Sequence, residues 1–111
     1  MPSANLYFAS QAAADRVEPR TVESLRCFLA QLLTCDDIEL RPEEISVRVV
    51  VVSESSQMIA DVEVEIHAHE FAARVERQDD LACEVARFLE DRNIAEHVVA
   101  WLILSELGHS I

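Results

Sequence analysis

Pro2 is the residue in this chain best placed to do chemistry. Initiator Met is usually removed before a small second residue, and proline qualifies. Removal leaves a secondary amine at the head of the apolar run Ala4-Asn5-Leu6-Tyr7-Phe8. An amine fixed to a strand end beside a pocket serves as a general base, although taken alone Pro2 is simply a second residue. Arg48 lies between Val47 and Val49, and its period-2 neighbours Ser46 and Val50 are uncharged. A guanidinium there requires a carboxylate partner or solvent to offset desolvation, so a structural ion pair or a wet sheet face is its ordinary explanation. Arg74 and Arg77 follow Phe71 in a short connection ahead of a helix-like stretch, where arginines are normally solvated. His67-Ala68-His69-Glu70 puts two imidazoles on one strand face with Glu65 as a third possible ligand. The alternating acids around them describe a solvated sheet face equally well, and we expect no metal and no cofactor.

Composition narrows the classes. A chain of 111 residues, half of them hydrophobic and 27% charged, supports one domain that gains from oligomerisation. The net charge of −12, from 21 acids against 9 cations, argues against nucleic acid, whose phosphates require clustered cations. All the cations are arginine, the one suited to bidentate carboxylate recognition. No basic region precedes a long apolar run, and no apolar stretch approaches a membrane span, so no membrane association is expected. Cys27, Cys35 and Cys83 lack metal-type pairing, which fits a reducing, cytoplasmic setting.

Six elements must position these residues. A strand is expected over Ser3 to Ala9, then a loop through Ala12 to about Pro19, in which Arg16 and Arg20 have no assignable role. A helix begins at the cap Thr21 with Glu23 in its first turn, and Leu25, Phe28, Leu29, Leu32 and Leu33 form a single buried stripe. The β-branched run Ile45 to Val52 is a second strand. A third, from about Ala60 to His69, turns Val62, Val64, Ile66 and Ala68 one way and Asp61, Glu63, Glu65, His67 and His69 the other. A second helix starts near Asp79 and Asp80, carries Leu81, Val85, Phe88 and Leu89 on one stripe, and ends around Asn93. The last strand, His97 to Leu104, is apolar enough to be buried on both sides or paired between subunits. The order is β-α-β-β-α-β: an α+β (two-layer α/β) fold of tandem β-α-β units, with a four-stranded sheet and two helices on one face. Residues 1–111 are then a single domain, with pseudo-repeats at about 1–53 and 58–111.

The run Ser46-Val47-Arg48-Val49-Val50, preceded by Arg41-Pro42-Glu43-Glu44-Ile45, resembles the strand signature of the tautomerase superfamily, as in 4-oxalocrotonate tautomerase. The segment from Asp61-Val62-Glu63-Val64-Glu65-Ile66 through Arg74-Val75-Glu76-Arg77-Gln78 is similar to 5-carboxymethyl-2-hydroxymuconate isomerase, and Pro2 stands in the family's catalytic place. With that family, which includes macrophage migration inhibitory factor-like proteins, the likeness covers nearly the whole chain. It implies a homotrimer and a small carboxylic-acid substrate, an enol or dienol acid of the 2-hydroxymuconate kind met in aromatic degradation. It also implies that Pro2 moves the proton between carbons while Arg48 and Arg74 hold the carboxylate. The chain departs from the pattern in having no Gly ahead of the second helix, and Phe8, Phe71 and Trp101 all remain candidates for an active-site aromatic. Two further classes stand beside this reading: a relative that uses Pro2 as an acid in hydration or dehalogenation, and a non-catalytic ferredoxin-like module binding a small ligand or protein.

Overall fold

The structure, a computed structural model, describes residues 2–35 and 38–106. Strand β1 (Ser3–Phe8) alternates strictly: Ala4, Leu6 and Phe8 are buried, while Ser3, Asn5 and Tyr7 are half-buried on the other face. Helix α1 (Gln11–Ala14) is a single turn, and α2 (Pro19–Leu33) crosses back over the sheet to β2 (Ser46–Val51). Strand β3 (Val62–His69) repeats the alternation, with Val62, Val64, Ile66 and Ala68 all 1% exposed or less. A short helix α3 (Ala72–Glu76) precedes α4 (Gln78–Asp91), and β4 (Val98–Ser105) closes the sheet.

The strands lie in the order β2-β1-β3-β4. Each β-α-β half makes a parallel pair, β1 with β2 and β3 with β4, and the halves meet along the antiparallel β1–β3 seam. Both long helices pack on one face, which is the expected architecture. Leu25, Leu29 and Leu33 of α2 and Leu81, Val85 and Leu89 of α4 are each 2% exposed or less and meet the buried strand residues in one core. Burying such a side chain contributes about 1.5–3 kcal/mol. Between the helices Phe28 and Phe88 stack at 4.3 Å.

The structure corrects four local expectations. Helix α2 starts at Pro19, not at Thr21, because proline's fixed φ suits the first helical position. The loop expected after Ala12 begins as a helical turn, since the Ser10 hydroxyl accepts a hydrogen bond from the Ala13 amide at 3.1 Å. The connection carrying Arg74 is helical too, so it has no need of the missing glycine. Strand β4 is an edge strand: Val98 and Leu102 are buried, whereas Trp101 and Ile103 on its other face are about 40% exposed. It is therefore not buried on both sides within this chain.

Candidate functional site

The candidate site lies at the end of the sheet where β1 begins. Helix α2 runs back along the sheet to this end, and β3, antiparallel to β1, finishes here. The start of β1, the start of β2, Leu33 and His69 are thereby gathered at one edge of the core.

Pro2 is buried. Its carbonyl accepts a hydrogen bond from the Ser46 amide at 3.4 Å, which continues the β1–β2 ladder by one residue. By alternation Pro2 shares the helix-covered face with Ala4, Leu6 and Phe8. One further step of register brings it beside Ile45 and Ala68, both buried. Its surroundings are apolar. Met1, whose removal the enzyme reading requires, lies outside the described residues.

Arg74 is the buried cation of this end, at 3% exposure. Its Nε and Nη2 donate to the Leu33 carbonyl at 3.1 and 2.7 Å, and its Nη1 donates to the His69 carbonyl at 2.9 Å. The last carbonyls of a helix have no partner within it, so the guanidinium caps α2 while tying it to the end of β3. The cation also lies 4.8 Å from the centre of the Phe71 ring. Burial pushes its pKa below the ordinary arginine value, and the neighbouring Cys35 side chain opposes that shift. An arginine nonetheless keeps its charge in a protein. Sequence reasoning missed both the burial and Cys35, because the two carbonyls that draw Arg74 inward carry no side-chain signature.

Arg48 is placed differently. It pairs with Asn5 across the β1–β2 ladder and so projects from the open sheet face, opposite to Pro2. It is exposed, and its Nη1 donates to the Asn5 Oδ1 at 3.3 Å. In register the row across this face reads Arg48, Asn5, Glu65, Trp101. Strand β1 thus stands between Arg48 and the nearest acid of the row, about two strand spacings or ~10 Å away. Solvent and an amide, rather than a carboxylate, meet its charge. Within the chain the fold brings Pro2 and Arg74 to the same end and leaves Arg48 on the other face.

The histidine strand has its own partners. His67 Nε2 lies 2.7 Å from the Glu65 Oε1, and the His69 ring packs against Phe71 at 4.7 Å. Among the described residues no three His, Cys, Asp or Glu side chains converge on one point. Arg77, at the start of α4, faces Glu84 at 3.6 Å and borders a groove of about 500 Å³ on the outer side of the helix layer.

The chain matches no family model and no curated protein sequence. Its backbone does match solved structures. Leishmania major MIF2 superposes with a TM-score of 0.64 at 8% identity, over 99% of this chain and 93% of that one. The macrophage migration inhibitory factor homologue from Prochlorococcus marinus gives 0.59 at 13% identity, over 95% and 88%. The macrophage migration inhibitory factor-like protein from Entamoeba histolytica gives 0.58 at 12%, over 96% and 88%. The fold is that of the macrophage migration inhibitory factor-like proteins. The tautomerase-superfamily resemblance read from the sequence agrees with this at the level of backbone architecture. Among the described residues no helix is long and apolar enough to cross a membrane.

Proposed function

We propose that the chain is a tautomerase-type isomerase that shifts a proton within a small enol or dienol carboxylic acid, using the Pro2 amine freed by loss of Met1. The observation that carries this reading is the burial of Pro2 among apolar side chains at the sheet end of this fold. A base there must be neutral at the working pH, and desolvation favours the neutral amine. The amine takes a proton from one carbon of the dienol acid and returns it to another. Arg74 supplies fixed positive charge at this end, its guanidinium anchored by the Leu33 and His69 carbonyls. Arg48 holds the substrate carboxylate from a neighbouring copy, in a homotrimer that turns its open face toward the site. Charge placed in advance where the dienolate forms lowers the barrier without reorganisation.

Two measurements test the reading. Intact-mass analysis of the native protein is expected to show the chain without Met1; with Met1 retained, the Pro2 nitrogen is an amide and no base. Assayed for ketonisation of a 2-hydroxy-dienoate, Pro2→Ala is expected to lose about 10²–10⁴-fold in kcat with an unchanged circular dichroism spectrum. Equal turnover in the variant removes Pro2 from the mechanism.

The opposite orientations of Pro2 and Arg48 within one protomer favour a second reading, a non-catalytic module for a small ligand or protein partner. A relative performing hydration or dehalogenation is the remaining case, and it needs a protonated Pro2. Titration of the amine separates them, since a base is neutral at the pH of maximal rate and an acid is charged.

A further inference from the structure

A second concentration of chemistry lies at the other end of β1, six residues or about 20 Å from Pro2. Here a concavity of about 350 Å³ is lined by Arg16, Arg20 and Arg92 together with Glu18, Thr21 and Ser24. Three of the nine arginines of a chain with net charge −12 share one small space with a single acid. We propose that this concavity binds a compact oxyanion, the phosphate or paired carboxylates of a small metabolite.

The lining is held from three directions. Arg92 ends α4, and its guanidinium rests 4.0 Å from the centre of the Phe88 ring. Asn93 follows with φ 60, and the amides of Asn93 and Ile94 return to the Glu90 and Leu89 carbonyls. This left-handed closure fixes where Arg92 stands and drives Ile94, 3% exposed, into the floor beneath the cations. Thr21 and Ser24, one turn apart on α2, bring two hydroxyls to the same wall. Glu18 stands at the N-cap of α2 without a side-chain capping bond, so the positive end of a 15-residue helix opens nearby.

Little in the protein neutralises these cations. Glu18 approaches Arg20 at 3.4 Å, but both side chains are more than 60% exposed, and such a pair is weak. Among the described residues neither Arg16 nor Arg92 has a carboxylate within 4.0 Å. Guanidinium forks and hydroxyls suit the flat, multiply charged faces of phosphate and dicarboxylate groups. The size of the space selects a small molecule, and the acidic remainder of the surface repels a nucleic-acid strand.

The test is calorimetric titration of the intact protein at low ionic strength with two probes, inorganic phosphate and malonate. Saturable binding of one or both is expected, phosphate alone assigning a phosphoryl ligand and malonate alone a dicarboxylate. R16Q/R92Q, two exposed positions outside the core and outside the Pro2 site, is expected to weaken binding by about tenfold or more, with the thermal midpoint in the absence of anion unchanged. Pro2→Ala is expected to bind as the unaltered protein does. The proposal is overturned by the absence of saturable binding tighter than about 10 mM for both probes. Affinity unmoved in R16Q/R92Q, or lost in Pro2→Ala, overturns it equally.

Discussion

Arg74 holds two elements together at the end of the sheet where chemistry is proposed. Two backbone carbonyls from distant parts of the chain, Leu33 and His69, converge on its guanidinium. Removing it strands both carbonyls in a buried setting, and each unsatisfied group costs about 1–3 kcal/mol. Arg74→Ala is therefore expected to lower the unfolding free energy by about 2–5 kcal/mol in urea, whatever it does to turnover. Arg74→Lys keeps the charge but not the fork, so it is expected to fall between the two. A loss below about 0.5 kcal/mol in Arg74→Ala would show that the carbonyls find other donors. The sequence marked Arg74 as a candidate but placed it in an exposed connection, since the carbonyls it caps are invisible in side-chain identity. Pro2 was legible for the opposite reason: a proline at position 2 ahead of an alternating strand is visible in six letters.

At the scale of elements, the two long helices and four strands follow from hydrophobic period. Leu25, Leu29 and Leu33 recur at helical spacing and Val62, Val64 and Ile66 at strand spacing, so each could be placed without tertiary information. The ends were less legible: Thr21 is the better cap by residue type, yet α2 starts at Pro19 behind Glu18, which makes no side-chain capping bond. The end of α4 depends on Asn93 in the left-handed region, in a chain whose only glycine is Gly108. Asparagine tolerates that geometry better than other residues with a β-carbon. Asn93→Ala is expected to destabilise by about 1 kcal/mol and Asn93→Gly to match or exceed the original, by thermal unfolding. Equal stability of Ala and Gly at this position would mean that the helix end relaxes to another closure.

At the scale of the whole molecule, both edge strands expose apolar side chains: Val49 and Val51 on β2, Trp101 and Ile103 on β4. A small chain with two such edges invites self-association. In the trimer proposed above, Trp101, the sole tryptophan, reports the contact directly. Sedimentation is expected to give three copies, with Trp101 emission shifting to the red on dilution to monomer. Trp101→Glu is expected to sediment as a monomer with native secondary structure. A monomeric wild-type protein at micromolar concentration would leave Arg48 with no route to Pro2.

The sequence by itself determined the layers: which faces are apolar, that two long helices and four strands form, and that two β-α-β units follow one another. Those properties are local, written in periods of two and 3.6 residues. Only the tertiary structure decided which groups meet. It set β1 between Arg48 and Glu65, drew Arg74 inward onto Leu33 and His69, and gathered Arg16, Arg20 and Arg92 around one concavity. Such encounters depend on strand order and on backbone carbonyls, which every residue carries alike and no side chain announces.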